Sequence, residues 1–495
     1  MTQKFKIGID IGTTSTKAIL YDEHFEVVDA ASKEYLTIRE KMGMAEQNPD
    51  LILAAVQSVI KRLIEQTYPQ SKKITTLSFS SAMHSLMIVS TEGEPLTPLY
   101  TWADNQSSFQ LEKAKAVQDL DWVYKKTGTP IHPMSPFSKL LWLQADSPEL
   151  LVGGNRIIGI KEYITYFLTG ELKVDYSIAS ATGLFNLQSL DWDPDIISFL
   201  GIEQEVLSDP VDTNYVFKRI NPVAYKEIGL SLETQIIIGA SDGCLANLGL
   251  NAIANNEVAM TIGTSGAVRM VSDHIVLDPE GRTFCYYLAK DKWVIGGAVN
   301  NGGNAFEWFA SILSKTEVMN YDEINNLMET IQPGADGLLF FPYLNGERSP
   351  LWDASVQAHF IGLSANHTTG HLIRAVMEGV LYNLVEVLNI LETNAGPAKK
   401  LKVNGGFLRS AFWKQMAADI FNKTLTITPQ FESSCLGAVS IDQMDYLEEL
   451  KKMRVIEVIP IEENVKAYQK SYELYQKLSI PIQQIHEIKA NHRNN

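Results

Sequence analysis

The fold of this chain is indicated by residues 8–17, GIDIGTTSTK, in which a turn rich in Gly and Thr joins two apolar runs. These runs cover residues 5–11 and 18–21, and a third run covers residues 25–31. Connections this short join only antiparallel strands, so the pattern predicts an antiparallel three-stranded start. Asn48 then precedes apolar residues spaced three and four apart, which predicts a capped helix over residues 51–66.

The same loop pattern recurs in the second half of the chain. Residues 262–266, IGTSG, repeat the outline of residues 11–15, IGTTS, and Gly12 and Gly263 are separated by about half of the 495 residues. Because strand and helix patterns alternate throughout, the class is mixed α/β. A duplication implies two similar domains that face one cleft, with a boundary between residues 245 and 257. A coincidental five-residue match is the alternative.

Composition excludes several functional classes. The chain has 58 acidic and 42 basic residues, a net charge of −16, and 45% hydrophobic residues, so disorder is excluded. A nucleic acid is a poor partner for this charge, because binding a polyanion needs clustered Lys and Arg. Long-range repulsion also acts on anionic small molecules, so a phosphate site here needs local donors and a metal ion.

Cysteine usage and hydropathy indicate the compartment. Cys244, Cys285 and Cys435 are far apart, with neither a disulfide framework nor zinc-site spacing. The N-terminus lacks a signal-peptide layout, and no apolar run approaches the ~18 to 20 residues of a membrane helix. We therefore expect a soluble cytoplasmic protein with no membrane partner and a frayed polar end over residues 486–495.

A glycine followed by threonine at a hairpin tip is suited to binding phosphate. The backbone can approach the anion, and N–H and hydroxyl groups donate to it. Asp10 precedes the first loop, where a carboxylate could hold the Mg²⁺ of a nucleotide, and Lys17 could reach the same phosphates. An ordinary Thr-rich turn is the alternative for one loop, whereas two loops at equivalent places favour phosphate binding.

Asp242 ends an apolar run in residues 236–243, IIIGASDG. An aspartate at a strand tip, without bulky neighbours, is exposed as a catalytic base would be in an α/β cleft. The alternative, which the segment alone favours, is that Asp242 caps the following helix.

Three other segments are candidates for ligand contact. Gly405 and Gly406 lie between a strand pattern and a helix pattern, which suits either an adenine or ribose contact or a tight turn. Trp102 and Asp104 present a flat apolar face beside a carboxylate, which suits a polyol, although an ordinary loop is the alternative. His84 follows a strand, where a structural histidine is more common than a ligand-binding one.

Several blocks, taken in order, resemble the FGGY carbohydrate kinases from residue 9 to about residue 438. The blocks are 8–17 GIDIGTTSTK, 45–49 AEQNP, 134–142 MSPFSKLLW, 166–171 YFLTGE, 239–242 GASD, 262–265 IGTS, 341–348 FPYLNGER, 374–379 RAVMEG and 404–406 NGG. The resemblance implies two actin-like, ribonuclease H-like ATPase domains around a central cleft. Residues 1–248 would bind the sugar and residues 249–495 would bind the nucleotide.

The resemblance also implies roles for individual residues. Asp242 would take the proton from the sugar hydroxyl, and Asp10, with Asp242 through water, would hold Mg²⁺. The implied ATP contacts are Gly12, Thr13, Thr14, Lys17, Gly263, Thr264, Gly303, Glu307, Gly405, Gly406 and Ser410. The implied sugar contacts are Met83, His84, Trp102, Asp104 and Asp242.

Substrate choice rests on the sugar-facing segments. Ala82 stands where many family members carry Gln, and many have Arg near Gln106, so these positions do not identify the sugar. Residues 80–84 SSAMH, 101–105 TWADN and 348–353 RSPLWD look most like the gluconate-phosphorylating members, and xylulose kinases come next. A bound carboxylate would need a local cation or several N–H donors, and protonated His84 and Lys139 are the candidates.

The expected reaction is therefore ATP-dependent phosphorylation of a terminal hydroxyl, converting gluconate to 6-phosphogluconate. Conversion of xylulose to xylulose 5-phosphate is the alternative within the family. An actin-like chaperone or filament ATPase is the alternative of a different class. The sequence leaves a homodimer open.

Overall fold

The computed structural model describes residues 4–67, 73–255, 257–313, 326–328, 330–428, 432–444 and 455–493. The strands of the N-terminal half are β1 Lys4–Ile11, β2 Ser15–Tyr21, β3 Val27–Glu34, β4 Glu46–Gln47, β5 Lys73–Ser81, β6 Met87–Val89, β7 Leu99–Tyr100, β8 Arg156–Ile158, β9 Lys173–Asp175, β10 Phe185–Asn186, β11 Asp191–Trp192, β12 Asp209–Val211 and β13 Gln235–Ser241. Its helices are α1 Pro49–Thr67, α2 Ser108–Val117, α3 Asp121–Thr127, α4 Pro136–Asp146, α5 Ile160–Thr169, α6 Tyr176–Ser180, α7 Pro194–Phe199, α8 Pro222–Ile228 and α9 Asp242–Gly249.

The described part of the C-terminal half has the same mixture of strands and helices. Its strands are β14 Glu257–Ile262, β15 Gly266–Ser272, β16 Phe284–Ala289, β17 Lys292–Val299, β18 Leu339–Phe341, β19 His359–Ile361, β20 Lys400–Asn404, β21 Leu425–Ile427 and β22 Ile456–Val458. Its helices are α10 Gly303–Leu313, α11 Thr369–Ala395, α12 Ala411–Phe421, α13 Ser433–Ser440 and α14 Glu462–Arg493.

Each half is built on one sheet, and the two sheets share a strand order. The N-terminal sheet runs β13-β5-β1-β2-β3, with β1, β2 and β3 antiparallel and with β5 and β13 parallel to β1. In the C-terminal sheet, β21-β20-β14-β15-β17 repeats this order and these directions, and β16 and β22 are added at its edges. The duplication expected from the two glycine loops is therefore present in the topology.

The start of the chain forms the elements that its sequence predicts. Alternate apolar residues of β1 are buried in a core that also receives Val56, Ile60 and Leu63 of α1. The helix begins where expected, because Asn48 Oδ1 accepts hydrogen bonds from the backbone N–H groups of Asp50 and Leu51. The predicted antiparallel hairpins and this capped helix are confirmed.

Helix α13 connects the two halves. Although it follows the C-terminal sheet strands β20 and β21, it packs on α9 and on strands β1 and β5. The approach is close enough to require glycines: a Cβ at Gly437 would lie 2.1 Å from the Leu245 carbonyl oxygen, and one at Gly8 would lie 2.3 Å from that of Cys435. Ser78 Oγ adds a 2.5 Å hydrogen bond to the Ala438 carbonyl.

The end of the chain differs from the expectation. Helix α14 continues to Arg493, so the prediction of a frayed end from residue 486 was wrong for residues 486–493, and the last two residues lie outside the described ranges. In the ranges given above, no helix combines the length and the apolar character needed to cross a bilayer.

Candidate active site

A cavity of about 190 Å³ lies between the two halves of the chain. The N-terminal half contributes the β1–β2 loop, the end of β5 and the start of α9, and the C-terminal half contributes β15 and its preceding loop. Of the residues predicted to form the site, five line this cavity, namely Thr13, Met83, His84, Trp102 and Asp242. The structure therefore brings Met83, His84 and Trp102 together with the candidate base.

Asp242 is the first residue of α9, directly after β13 ends. Its Oδ1 accepts a 2.6 Å hydrogen bond from the backbone N–H of Gly243, and the neighbouring Ser241 occupies the N-cap position. Burial raises the pKa of the Asp242 carboxyl, and the positive charge of Arg269 opposes this rise. A carboxyl with a raised pKa that lines a cavity is suited to accepting a proton.

The strand end that carries Asp242 is held by a buried polar network. Lys161 Nζ donates a 3.1 Å hydrogen bond to the Ala240 carbonyl and forms an ion pair with Asp175 at 2.5 Å. Ser177 Oγ accepts from the Ser241 backbone N–H at 3.2 Å. These bonds restrain the backbone of the two residues before Asp242.

Asp10 is a second acidic group at the cleft. It accepts a 2.7 Å hydrogen bond from Ser80 Oγ. Burial raises its pKa to about 6, and the negative charges of Asp242 and Glu432 add to this rise. The repulsion between Asp10 and Asp242 indicates negative charge that the cations of the site do not fully compensate.

The first loop presents its backbone and one hydroxyl to the cleft. The N–H of Gly12 donates to the Ser15 carbonyl at 3.0 Å, which closes the turn. Thr13 Oγ1 accepts a 2.8 Å hydrogen bond from Trp102 Nε1, whereas Thr14 is exposed. Lys17 Nζ forms a 2.8 Å ion pair with Glu432.

The second loop is held by the start of α10. Gly303 N–H donates to the Gly263 carbonyl at 2.7 Å, and the Thr264 carbonyl accepts from Gly302 and Asn304, both at 3.2 Å. Thr264 itself is exposed at the loop tip. Glu307, one turn further along α10, is also exposed.

The Gly405–Gly406 turn lies beside this second loop. Gly405 has φ +111°, and a Cβ there would lie 2.2 Å from the carbonyl oxygen of Ile262, the residue before Gly263. Gly406 is exposed, with open space where a Cβ would be. Ser410 is buried, and its Oγ accepts from the Trp413 N–H at 3.1 Å, so it caps α12.

The two expected carboxylate-binding cations have other roles. Burial lowers the pKa of His84 to about 3, so the imidazole is neutral, with Nδ1 at 2.7 Å from the Ala181 carbonyl. Lys139 is fully buried and donates to the backbone carbonyls of His84 and Met134. A protonated His84 is therefore not available to meet a carboxylate, although the neutral ring lines the cavity, and Lys139 is bonded to the backbone instead.

Asp104 is also bonded within the protein. Its Oδ2 accepts from the Ala45 N–H at 2.7 Å and from Gln106 Nε2 at 2.9 Å. The side chain is fully buried and does not line the cavity. These bonds shape the loop that presents Trp102, and a direct contact of Asp104 with substrate stays a prediction.

Two arginines line the cavity that sequence reasoning did not single out, Arg269 and Arg348. The guanidinium of Arg348 lies 4.5 Å from the Trp102 ring centre and donates to Asn300 Oδ1 at 2.8 Å and to the Val299 carbonyl at 3.2 Å. The signal for Arg269 was a charged residue inside the otherwise apolar run of β15. Arg348 lies in one of the blocks quoted above.

Comparison with known proteins agrees with this geometry. A gluconokinase from Bacillus licheniformis is 43% identical over 507 residues, which cover 99% of this chain and 98% of that protein. The crystal structure of a gluconate kinase from Lactobacillus acidophilus superposes with a TM-score of 0.92 at 36% identity. A ligand-bound xylulose kinase from the same organism superposes with a TM-score of 0.92 at 37% identity. Both structural alignments cover 97% of this chain and 98% of the other.

The family assignment rests on both halves of the chain. Residues 5–249 match the N-terminal domain of the FGGY family of carbohydrate kinases, and residues 258–443 match the C-terminal domain. The duplicated α/β topology and the shared cleft are those of the two actin-like domains expected from the sequence. This chain belongs to the FGGY family of carbohydrate kinases.

Proposed function

We propose that this chain transfers the terminal phosphoryl group of ATP to the C6 hydroxyl of gluconate, releasing 6-phosphogluconate and ADP. The observation that carries the proposal is the half-buried Asp242 carboxyl in a cavity that both halves of the chain line. The full-length similarity to a gluconokinase supports gluconate as the acceptor.

Asp242 acts as the base in this proposal. It accepts the proton of the C6 hydroxyl as the oxygen attacks the phosphoryl group, and its raised pKa brings it closer to the working pH. Neutral His84, with Nδ1 directed to the Ala181 carbonyl, keeps Nε2 as an acceptor for a sugar hydroxyl. Met83 and Trp102 supply apolar surface for the carbon chain.

The nucleotide would lie across the two loops. Backbone N–H groups at residues 13–14 and 264, together with the backbone of Gly12, Gly263 and the Gly405–Gly406 turn, would approach its phosphates and ribose. We also propose that the nucleotide contacts Lys17, Gly303, Glu307 and Ser410. Residues 1–248 would then form the sugar-binding domain and residues 249–495 the nucleotide-binding domain.

The acidic pair fits a magnesium ion. Asp10 and Asp242 are half-buried carboxyls, each of which offers the oxygen ligands that Mg²⁺ prefers, and a divalent cation would relieve the repulsion between them. No cluster of three or more His, Cys, Asp or Glu ligands occurs among the described residues, so water and phosphate oxygens would complete the shell. When bound, the ion would neutralise charge on the transferring phosphate.

The substrate is tested by measuring ADP release with gluconate and with D-xylulose at saturating MgATP. We expect a higher kcat/KM for gluconate. Xylulose is the second candidate because a xylulose kinase structure is equally similar in fold. A higher kcat/KM for xylulose would overturn the gluconate proposal and favour xylulose as the acceptor. ATP hydrolysis that no sugar stimulates would instead indicate an actin-like ATPase of another class.

A further inference from the structure

Arg269 lies on the face of β15 that lines the cavity. Successive side chains of a strand point to opposite faces, so Ala267 and Arg269 share one face with Ser265 of the preceding loop. All three line the cavity. Arg269 is thus part of the surface that receives the acceptor substrate.

Two glycines leave room for the guanidinium group. Gly296 lies opposite Arg269 in the β15–β17 register, and a Cβ there would be 3.1 Å from Arg269 Cγ. A Cβ at Gly243, the residue after the proposed base, would be 3.1 Å from Arg269 Nε. The backbone around Arg269 is therefore shaped to hold this long side chain beside the cavity.

Most of the hydrogen-bonding capacity of Arg269 is unused within the described part of the chain. Its one hydrogen bond there is long, 3.4 Å from Nη1 to Thr261 Oγ1, and no described carboxylate forms an ion pair with it. A guanidinium has five N–H donors and stays charged in proteins. The negative charge of Asp242 acts on this half-buried guanidinium without forming an ion pair with it among the described residues, so a ligand carboxylate would still find unused N–H donors here.

Arg269 and the proposed base Asp242 line one cavity of about 190 Å³. A Cβ at Gly243, the residue after Asp242, would lie 3.1 Å from Arg269 Nε, so the guanidinium is held on the Asp242 side of this cavity. An acid whose terminal hydroxyl meets Asp242 therefore keeps its carboxylate inside the same small cavity, where it can meet the unused N–H donors of Arg269.

Arg348 is less available for this role. Two of its nitrogens already donate to Val299 and Asn300, and its plane lies against Trp102. It therefore supports the aromatic wall of the cavity, near the end of β17 that pairs with Gly266.

We propose that Arg269 binds the carboxylate of the acceptor and thereby selects aldonic acids over neutral sugars of the same length. This inference rests on the proposed function, because it assumes that a sugar acid is the substrate. The chemical class it predicts is a linear polyhydroxy acid whose far end carries the hydroxyl to be phosphorylated.

The test compares gluconate with gluconamide, in which a neutral amide replaces the carboxylate. We expect the wild-type protein to prefer gluconate by about 10²-fold or more in kcat/KM, because with gluconamide the Arg269 guanidinium would lose its negatively charged ligand. In Arg269→Gln this preference should fall below about tenfold, chiefly through a higher KM for gluconate. Arg269→Lys keeps the charge and should retain more of the preference than Arg269→Gln.

Arg62→Gln is the matched control, since Arg62 is an exposed arginine on α1. It should leave the preference unchanged. Circular dichroism and binding of a non-hydrolysable ATP analogue establish that each variant is folded. If wild type phosphorylates gluconate but Arg269→Gln keeps the full preference, this inference is overturned and the proposed function stands. If wild type does not phosphorylate gluconate, both are overturned.

Discussion

Burial changes the protonation of the side chains around the cavity in opposite directions. It raises the pKa of Asp10 to about 6 and lowers that of His84 to about 3. Near neutral pH the acidic groups can still accept a proton or a cation, while the histidine is a neutral hydrogen-bonding group. The chemistry of the cleft therefore depends on its carboxylates and arginines.

Asp242→Asn should lower turnover by a factor of about 10² to 10⁴, the usual contribution of a positioned base. The amide has nearly the same volume and keeps an oxygen that can accept from Gly243, so fold and nucleotide binding should persist. Steady-state ADP release and binding of a non-hydrolysable ATP analogue measure the two effects. Asp291→Asn, in an exposed turn, is the control. Turnover within a few-fold of wild type in the folded variant would exclude Asp242 as the base.

Helices α9 and α13 form the packed element between the two halves. Backbone contacts at Gly249 and Gly437 leave no space for a side chain: their Cβ atoms would lie 1.9 Å and 2.1 Å from the carbonyl oxygens of Ser433 and Leu245. Because α9 begins with Asp242, the position of this pair also determines where the proposed base lies.

Gly437→Ala should lower the midpoint of thermal unfolding by about 2 to 10 °C, because the added methyl group forces α9 and α13 apart. Gly406→Ala, where a Cβ meets open space, should shift the midpoint by less than about 2 °C. Calorimetry of both variants measures the difference. Equal midpoints would contradict the tight packing between these two helices.

Over the whole molecule, the two proposed phosphate loops are divided between two halves that would bind one ATP. The loop at Gly12 belongs to the first sheet, the loop at Gly263 belongs to the second, and the cavity draws residues from both. The chain carries a net charge of −16, yet the cavity lining contains two arginines and one acidic residue. The cleft thus supplies locally the positive charge that the rest of the surface lacks.

Binding of both substrates should bring the two halves together, because the two phosphate loops must converge on one nucleotide. Small-angle X-ray scattering should give a smaller radius of gyration with gluconate plus a non-hydrolysable ATP analogue than without ligands. Samples with gluconate alone and with the ATP analogue alone show how much of the decrease in the radius of gyration each ligand causes by itself. A radius that stays constant in all four samples would argue against closure of the cleft.

Local sequence signals were sufficient to predict several strands and helices and part of the candidate site. Hairpin-length connections and the Asn48 cap act over a few residues, so β1, β2 and α1 could be predicted from them. The repeated Gly-Thr loop indicated the duplicated topology, since the same turn recurs at the same place in each sheet. Asp242 and Thr13 could be selected because each follows an apolar strand pattern, and Trp102 because it presents a flat apolar face beside Asp104.

The charge states of the site's side chains, and the contacts between residues far apart in the sequence, could be determined only from the tertiary structure. Whether His84 is charged depends on its burial and on Lys139 and Ala181, which lie far from it in sequence. The place of Arg269 beside Gly243 depends on how β15 and α9 pack, and no local pattern carries that information. Short-range propensities act within a turn or a strand, whereas desolvation and ion pairing depend on all the atoms that folding brings near a group, whatever their separation along the chain.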